Sequence, residues 1–167
     1  MNQWLISLLV NNHFGVLTRI TALFGRRGYN IISLSVGETH DPALSRITIQ
    51  TQADGAAVRQ MLRQLQKLED VEKAILLPVS ESIIREQLLV KLTVPQARRD
   101  ALWKVLENFS VELTYQDETQ LILSYTGSPD NCGAFLQALE PFTLKELCRT
   151  GVTAVSTLST LYNNNSV

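Results

Sequence analysis

The chain has 167 residues, 45% of them hydrophobic and 19% charged, the balance of a folded protein with one ordinary domain or two small ones. Its 15 basic side chains face 16 acidic ones, which excludes the basic field that draws proteins onto nucleic acid or anionic lipid. No run nears the roughly 18 apolar residues of a membrane span, and residues 1–10 lack the basic flank and cleavage site of a signal peptide, so a cytoplasmic location is expected.

Residues 4–10 form a short apolar run that predicts a strand, ended by the loop Asn11, Asn12, His13, Phe14 and Gly15. Val16, Leu17, Ile20, Leu23 and Phe24 then share one helical face, and Gly28 is placed for the left-handed position after the helix, which predicts a helix over 16–27. Ile32, Leu34 and Val36 alternate with small polar residues. After an Asp41-Pro42 turn, Ile47, Ile49 and Thr51 alternate in the same way, as two half-buried antiparallel strands would. Val58, Met61, Leu62, Leu65 and Leu68 repeat at helical spacing, and 71–77 makes a last apolar strand before Pro78. The strip Glu69, Asp70 and Glu72 reads as a solvated turn.

The resulting β-α-β-β-α-β order predicts a four-stranded antiparallel sheet with two helices on one face, its edges and far face open to pairing. A unit this small has a limited core, so dimerisation is expected.

After a polar connector at 80–86 the pattern starts again. Residues 88–94 read as a strand, and Leu102, Val105, Leu106 and Phe109 as one helical face. Residues 111–115 and 121–125 form a hairpin, Ser128-Pro129 opens a helix, and 144–148 closes a second sheet. The fold class is therefore α+β, with two ferredoxin-like domains over 1–79 and 87–160, a linker over 80–86, and a polar tail over 161–167 that is expected to be disordered.

Chemistry-bearing patterns are sparse. Cys132 and Cys148 are too few and too widely spaced for a disulfide framework or a metal knuckle and read as reduced small hydrophobes. His13 and His40 have no HxxxH or CxxC partner, so no metal site is expected. Without a nucleophile elbow, Walker loop or dinucleotide fingerprint, no catalytic residue is assigned. RNA-recognition modules share this element order, but 45–51 carries no exposed aromatics for base stacking.

The segment Asn12-His13-Phe14-Gly15-Val16-Leu17-Thr18-Arg19-Ile20, then Leu23-Phe24-Gly25-Arg26-Arg27-Gly28-Tyr29-Asn30-Ile31, resembles the N-terminal region of acetolactate synthase small subunits. The likeness extends to Ser45-Arg46-Ile47-Thr48-Ile49, to 64–71 and, more weakly, to Arg149-Thr150-Gly151. It implies that the first unit is an ACT domain that pairs with a second copy and binds a feedback inhibitor, usually valine, between the two. Carried over to this sequence, it implicates Asn12, Gly15, Val16 and Leu17 of one subunit with Asn30 and Ile31 of its partner, and puts Asn11 and His13 on the rim. Backbone N–H groups at the opening of the helix would meet a carboxylate, Asn12 and Asn30 an ammonium group, and the apolar side chains an aliphatic one. Asn12 and Gly15 equally suit a plain turn that caps the helix.

The resemblance further implies a large catalytic subunit as partner, holding the thiamine diphosphate, magnesium and FAD, with no cofactor in this chain. The small subunit would activate that enzyme. The sequence departs from the family in having Asn11 and Ile32 where glutamates are usual, and Ser156-Thr157 where an Arg-Gly pair often follows the last strand. The rival expectation is a stand-alone amino-acid sensor that controls another enzyme or a transcription factor.

Overall fold

A computed structural model of the chain describes residues 2–158, which fall into two units: 2–83 with 151–158, and Ile84–Thr150. The first unit opens with β1 (Asn2–Asn11), α1 (Val16–Arg26), β2 (Ile31–Glu38), β3 (Leu44–Ala53), α2 (Gly55–Leu65) and β4 (Val71–Leu77). All its pairings are antiparallel, in the order β2-β3-β1-β4, so β2 lies at an edge.

Alternation along the strands decides what each face buries. Ile6, Leu8 and Val10 of β1 and Ile47 and Ile49 of β3 turn to the helices, where they meet Ile20, Leu23 and Phe24 of α1 and Val58, Met61 and Leu65 of α2. Each such side chain removed from water contributes about 1.5–3 kcal/mol. The end of α1 is a two-bond glycine cap: Gly28 takes φ +67°, its N–H donates to the Gly25 carbonyl at 3.1 Å, and the Tyr29 N–H donates to that of Phe24 at 3.0 Å. α2 begins at Asp54, whose carboxylate accepts from the Ala57 N–H at 2.7 Å.

The second unit repeats the order with β5 (Ser82–Thr93), α3 (Arg99–Leu106), β6 (Val111–Gln116), β7 (Gln120–Gly127), α4 (Pro129–Ala138) and β8 (Thr143–Arg149), arranged β6-β7-β5-β8. Leu88, Val90, Leu92, Leu121 and Leu123 face Leu102, Leu106 and Phe135 in its core. Phe109, Tyr125 and Phe135 close that core as a ring cluster, with Tyr125 and Phe135 stacked 4.6 Å apart. Ser128 caps α4 and Pro129 fills its first turn. Glu86, buried on β5, is paired with Arg149 of β8, and that bond raises the Arg149 guanidinium above its ordinary pKa. Cys132 is fully buried, which pushes its thiol up. Cys148 differs from the small-hydrophobe reading in being exposed.

Three departures from the sequence reading have structural causes. The expected linker 80–86 is instead a 3-10 turn (Val79–Glu81) running directly into β5 at Ser82. A further strand, β9 (Thr153–Ser156), follows β8 and returns to the first unit, where the Thr157 N–H donates to the Glu81 carbonyl at 2.9 Å. This segment covers part of the sheet's far face, which alternation alone leaves open. Leu5, Ser7, Thr48 and Leu77 are buried there, as are Val152 and Ala154, and a cleft of about 240 Å³ runs between Ser35, Arg46 and Thr48 and the β9 residues Thr153, Ala154 and Val155. The expected disordered tail, 161–167, lies outside the described residues, as do 159 and 160. No described helix is long and apolar enough to cross a membrane.

Candidate functional site

The loop between β1 and α1 is built around one backbone conformation. Gly15 stands at the position before the helix with φ +86° and ψ −10°, a region in which a side chain is strained, and no side chain caps the helix there. The first N–H groups of α1 are thus offered at the positive end of the helix dipole.

Asn12 does not cap the helix, contrary to the simpler of the two sequence readings. Its amide group reaches the end of β2 and the following turn, donating to Glu38 Oε1 at 3.0 Å and to the Pro42 carbonyl at 2.9 Å, while its backbone N–H donates to Ala43 at 2.7 Å. With both amide hydrogens engaged, the side chain has its oxygen left to accept a bond. Glu38, which the sequence reading did not single out, adds a carboxylate to the same corner.

The implicated residues separate into two groups. Asn11, Asn12, His13, Gly15, Val16 and Leu17 lie together at the loop and helix start. Asn30 and Ile31 follow the other end of α1, whose 11 residues span roughly 16 Å. One chain therefore does not bring both groups to one ligand. The Val16 side chain is only 4% exposed and belongs to the core, which corrects the expectation that it holds an aliphatic ligand group; its contribution to the loop is its N–H. Leu17 is exposed, Ile31 is half-buried against the core, and Asn30 is exposed with its carbonyl accepting from Thr51 Oγ1 at 2.7 Å.

Asp70 corrects a second expectation. Far from lying in a solvated turn, it is 9% exposed, and its carboxylate receives Arg19 Nε at 2.7 Å and Nη2 at 2.5 Å and faces His13 Nε2 at 2.9 Å. Its carbonyl accepts from the Asn11 N–H at 2.9 Å. His13, Arg19, Leu68, Glu69 and Asp70 line an open cleft of about 370 Å³. The two ring nitrogens of His13 face Asp70 Oδ1 at 2.9 Å and the Phe14 carbonyl at 3.2 Å. Among the described residues no group of three or more His, Cys, Asp or Glu side chains is placed to hold a metal ion.

Comparison with known proteins finds both units in one family. Residues 6–73 match the AHAS small subunit-like ACT domain, and residues 85–157 match the small subunit of acetolactate synthase. The acetolactate synthase small subunit of Aquifex aeolicus is 36% identical over 156 residues, covering 93% of this chain and 81% of that protein. That of Haemophilus influenzae is 37% identical over 153 residues, covering 91% and 94%. The crystal structure of the Thermotoga maritima acetolactate synthase small subunit superposes with a TM-score of 0.86 at 30% identity, covering 93% of this chain and 98% of that one.

Proposed function

The chain belongs to the acetolactate synthase small-subunit family, and from that membership we propose that it binds a branched-chain amino acid, valine foremost, as a feedback effector of a catalytic large subunit that it otherwise activates. The observation that carries this reading is the Gly15 loop: a left-handed glycine opening an uncapped helix, beside an Asn12 whose amide hydrogens are both given to Glu38 and Pro42. Such a corner suits the carboxylate of a free amino acid at the helix dipole and its ammonium group at the asparagine.

The complementary residues, Asn30 and Ile31, would come from a second copy. β2, which begins at Ile31 and lies at the edge of the four-stranded sheet among the described residues, would offer that edge and the exposed side chains of Ile32 and Val36 for side-by-side pairing of two first units. Two equivalent sites would result. On this reading thiamine diphosphate, magnesium and FAD belong to the large subunit, and the effector acts by binding the less active assembly more tightly than the active one.

Reconstitution with the cognate large subunit tests the proposal. Acetolactate formation should rise when this chain is added and fall on titration with valine, leucine or isoleucine. A large subunit whose rate is indifferent to the chain, or an activated complex that ignores all three amino acids, would refute it.

A further inference from the structure

We propose that Asp70 is the positioning residue of the effector loop, holding it from both sides through Asn11, His13 and Arg19. The inference rests on the effector reading above and goes deeper into the same loop.

A glycine at φ +86° makes the turn possible but does nothing to keep it in place, because glycine loses more conformational freedom on ordering than any other residue. Asn12 ties one corner of the loop to Glu38, Pro42 and Ala43, but next to Gly15 itself Phe14 is fully exposed and no side-chain cap ties the glycine to α1. Asp70, from the turn between α2 and β4, supplies the anchor on the side of the loop that Asn12 does not reach. Its carbonyl holds the last residue of β1 through the Asn11 N–H, its Oδ1 holds the loop itself through His13, and its Oδ2 holds the first turn of α1 through Arg19. Gly15 is thus bracketed on both flanks by one residue.

Two further features bear on the contact. The Asp70 side chain is 13% exposed while His13 and Arg19 are each about half exposed, so the bonds are screened from the partners' side and sheltered only at the carboxylate. Arg19 Nη1 lies 3.7 Å from the place a Cβ on Gly15 would occupy, so the guanidinium held by Asp70 also borders the glycine. Glu69 lines the same cleft but is exposed.

The test uses the full chain and two measurements, amide hydrogen exchange of residues 12–17 and calorimetric titration with L-valine. In Asp70→Asn, which keeps the shape and removes the charge, the loop amides should exchange about tenfold faster while the β1 and β3 amides keep their protection, and the valine Kd should weaken about tenfold. Asp70→Glu, which restores the charge, should recover part of both. His13→Gln removes one anchor at an exposed position and should move both readouts in the same direction by less, which keeps the test available if Asp70→Asn fails to fold. Unchanged loop exchange in these variants overturns the proposal, and so does faster exchange with an unchanged Kd. A wild-type chain that takes up no valine, leucine or isoleucine would overturn the effector reading itself; the exchange comparison needs no ligand, so the two failures are told apart.

Discussion

Thr51 Oγ1 donates a 2.7 Å hydrogen bond to the carbonyl oxygen of Asn30, tying the start of β2 to β3 through the Asn30 backbone. The bond does not involve the Asn30 side chain, which is exposed and stands outside the core. A residue fixed by its backbone can present its amide to a ligand without rearranging.

Asn30→Ala is therefore expected to change stability by less than about 0.5 kcal/mol while weakening amino-acid binding through a lost polar contact of about 1–3 kcal/mol. Thermal unfolding and calorimetric titration with valine check the two halves. Wild-type affinity in this variant would remove Asn30 from the site.

Gly15→Asp should abolish feedback with a modest loss of stability. The added Cβ meets only Arg19 Nη1, at 3.7 Å, so there is room for it. The φ of +86° costs a side chain about 1–2 kcal/mol. The new carboxylate would sit beside Arg19 and the helix start, occupying the place proposed for the effector's carboxylate. Valine titration of acetolactate formation in the reconstituted enzyme should be flat; an unaltered inhibition curve would refute the placement.

Gly151→Ala should destabilise the first unit without touching the loop between β1 and α1. A Cβ there would come within 2.6 Å of the Leu34 carbonyl oxygen and 2.7 Å of Ser35 Oγ, and the first of these is backbone that cannot step aside. The expected loss is about 1–3 kcal/mol in urea unfolding. A variant as stable as the wild type would mean that the segment joining β8 to β9 does not lie against β2 in solution.

In the hairpin of the second unit, Asp117 Oδ1 accepts from the N–H groups of Thr119 at 2.8 Å and Gln120 at 2.7 Å, and these bonds lower its pKa below the ordinary carboxylate value. A carboxyl group that binds its proton less readily when folded contributes stability above its unfolded pKa, and that contribution fades as pH falls through the lowered folded value. Asp117→Asn keeps an acceptor but loses the titration. Its unfolding midpoint should fall less than that of the wild type as pH is taken from about 5 to 2. Parallel pH profiles would count against the assignment.

The comparison of sequence and structure turns on what local patterns report. Alternation in β1 and β3 and the three-to-four spacing of Ile20, Leu23 and Phe24 say which face each element buries, and those faces meet as the patterns require. Gly28 was legible for the same reason, since the stop it makes is closed by bonds within five residues. Ser128-Pro129 announced α4, and the run from Asn12 to Ile20 announced the loop.

What the sequence by itself determined about this protein is thus the order of its elements through β8, the inward face of each, and the family to which it belongs. Only the tertiary structure decided that Asn12 turns to Glu38 instead of the helix, that Val16 belongs to the core, that residues 152–155 cover part of the first sheet's far face, and that Asp70 leaves the solvated strip to grip His13 and Arg19. The physical reason is separation along the chain. Asp70 and Arg19 are 51 residues apart and Asn12 and Glu38 are 26 apart, and neither pair obeys a period. A lone carboxylate in a turn looks alike in the sequence whether it meets water or a guanidinium, and the closing of the fold chooses between them.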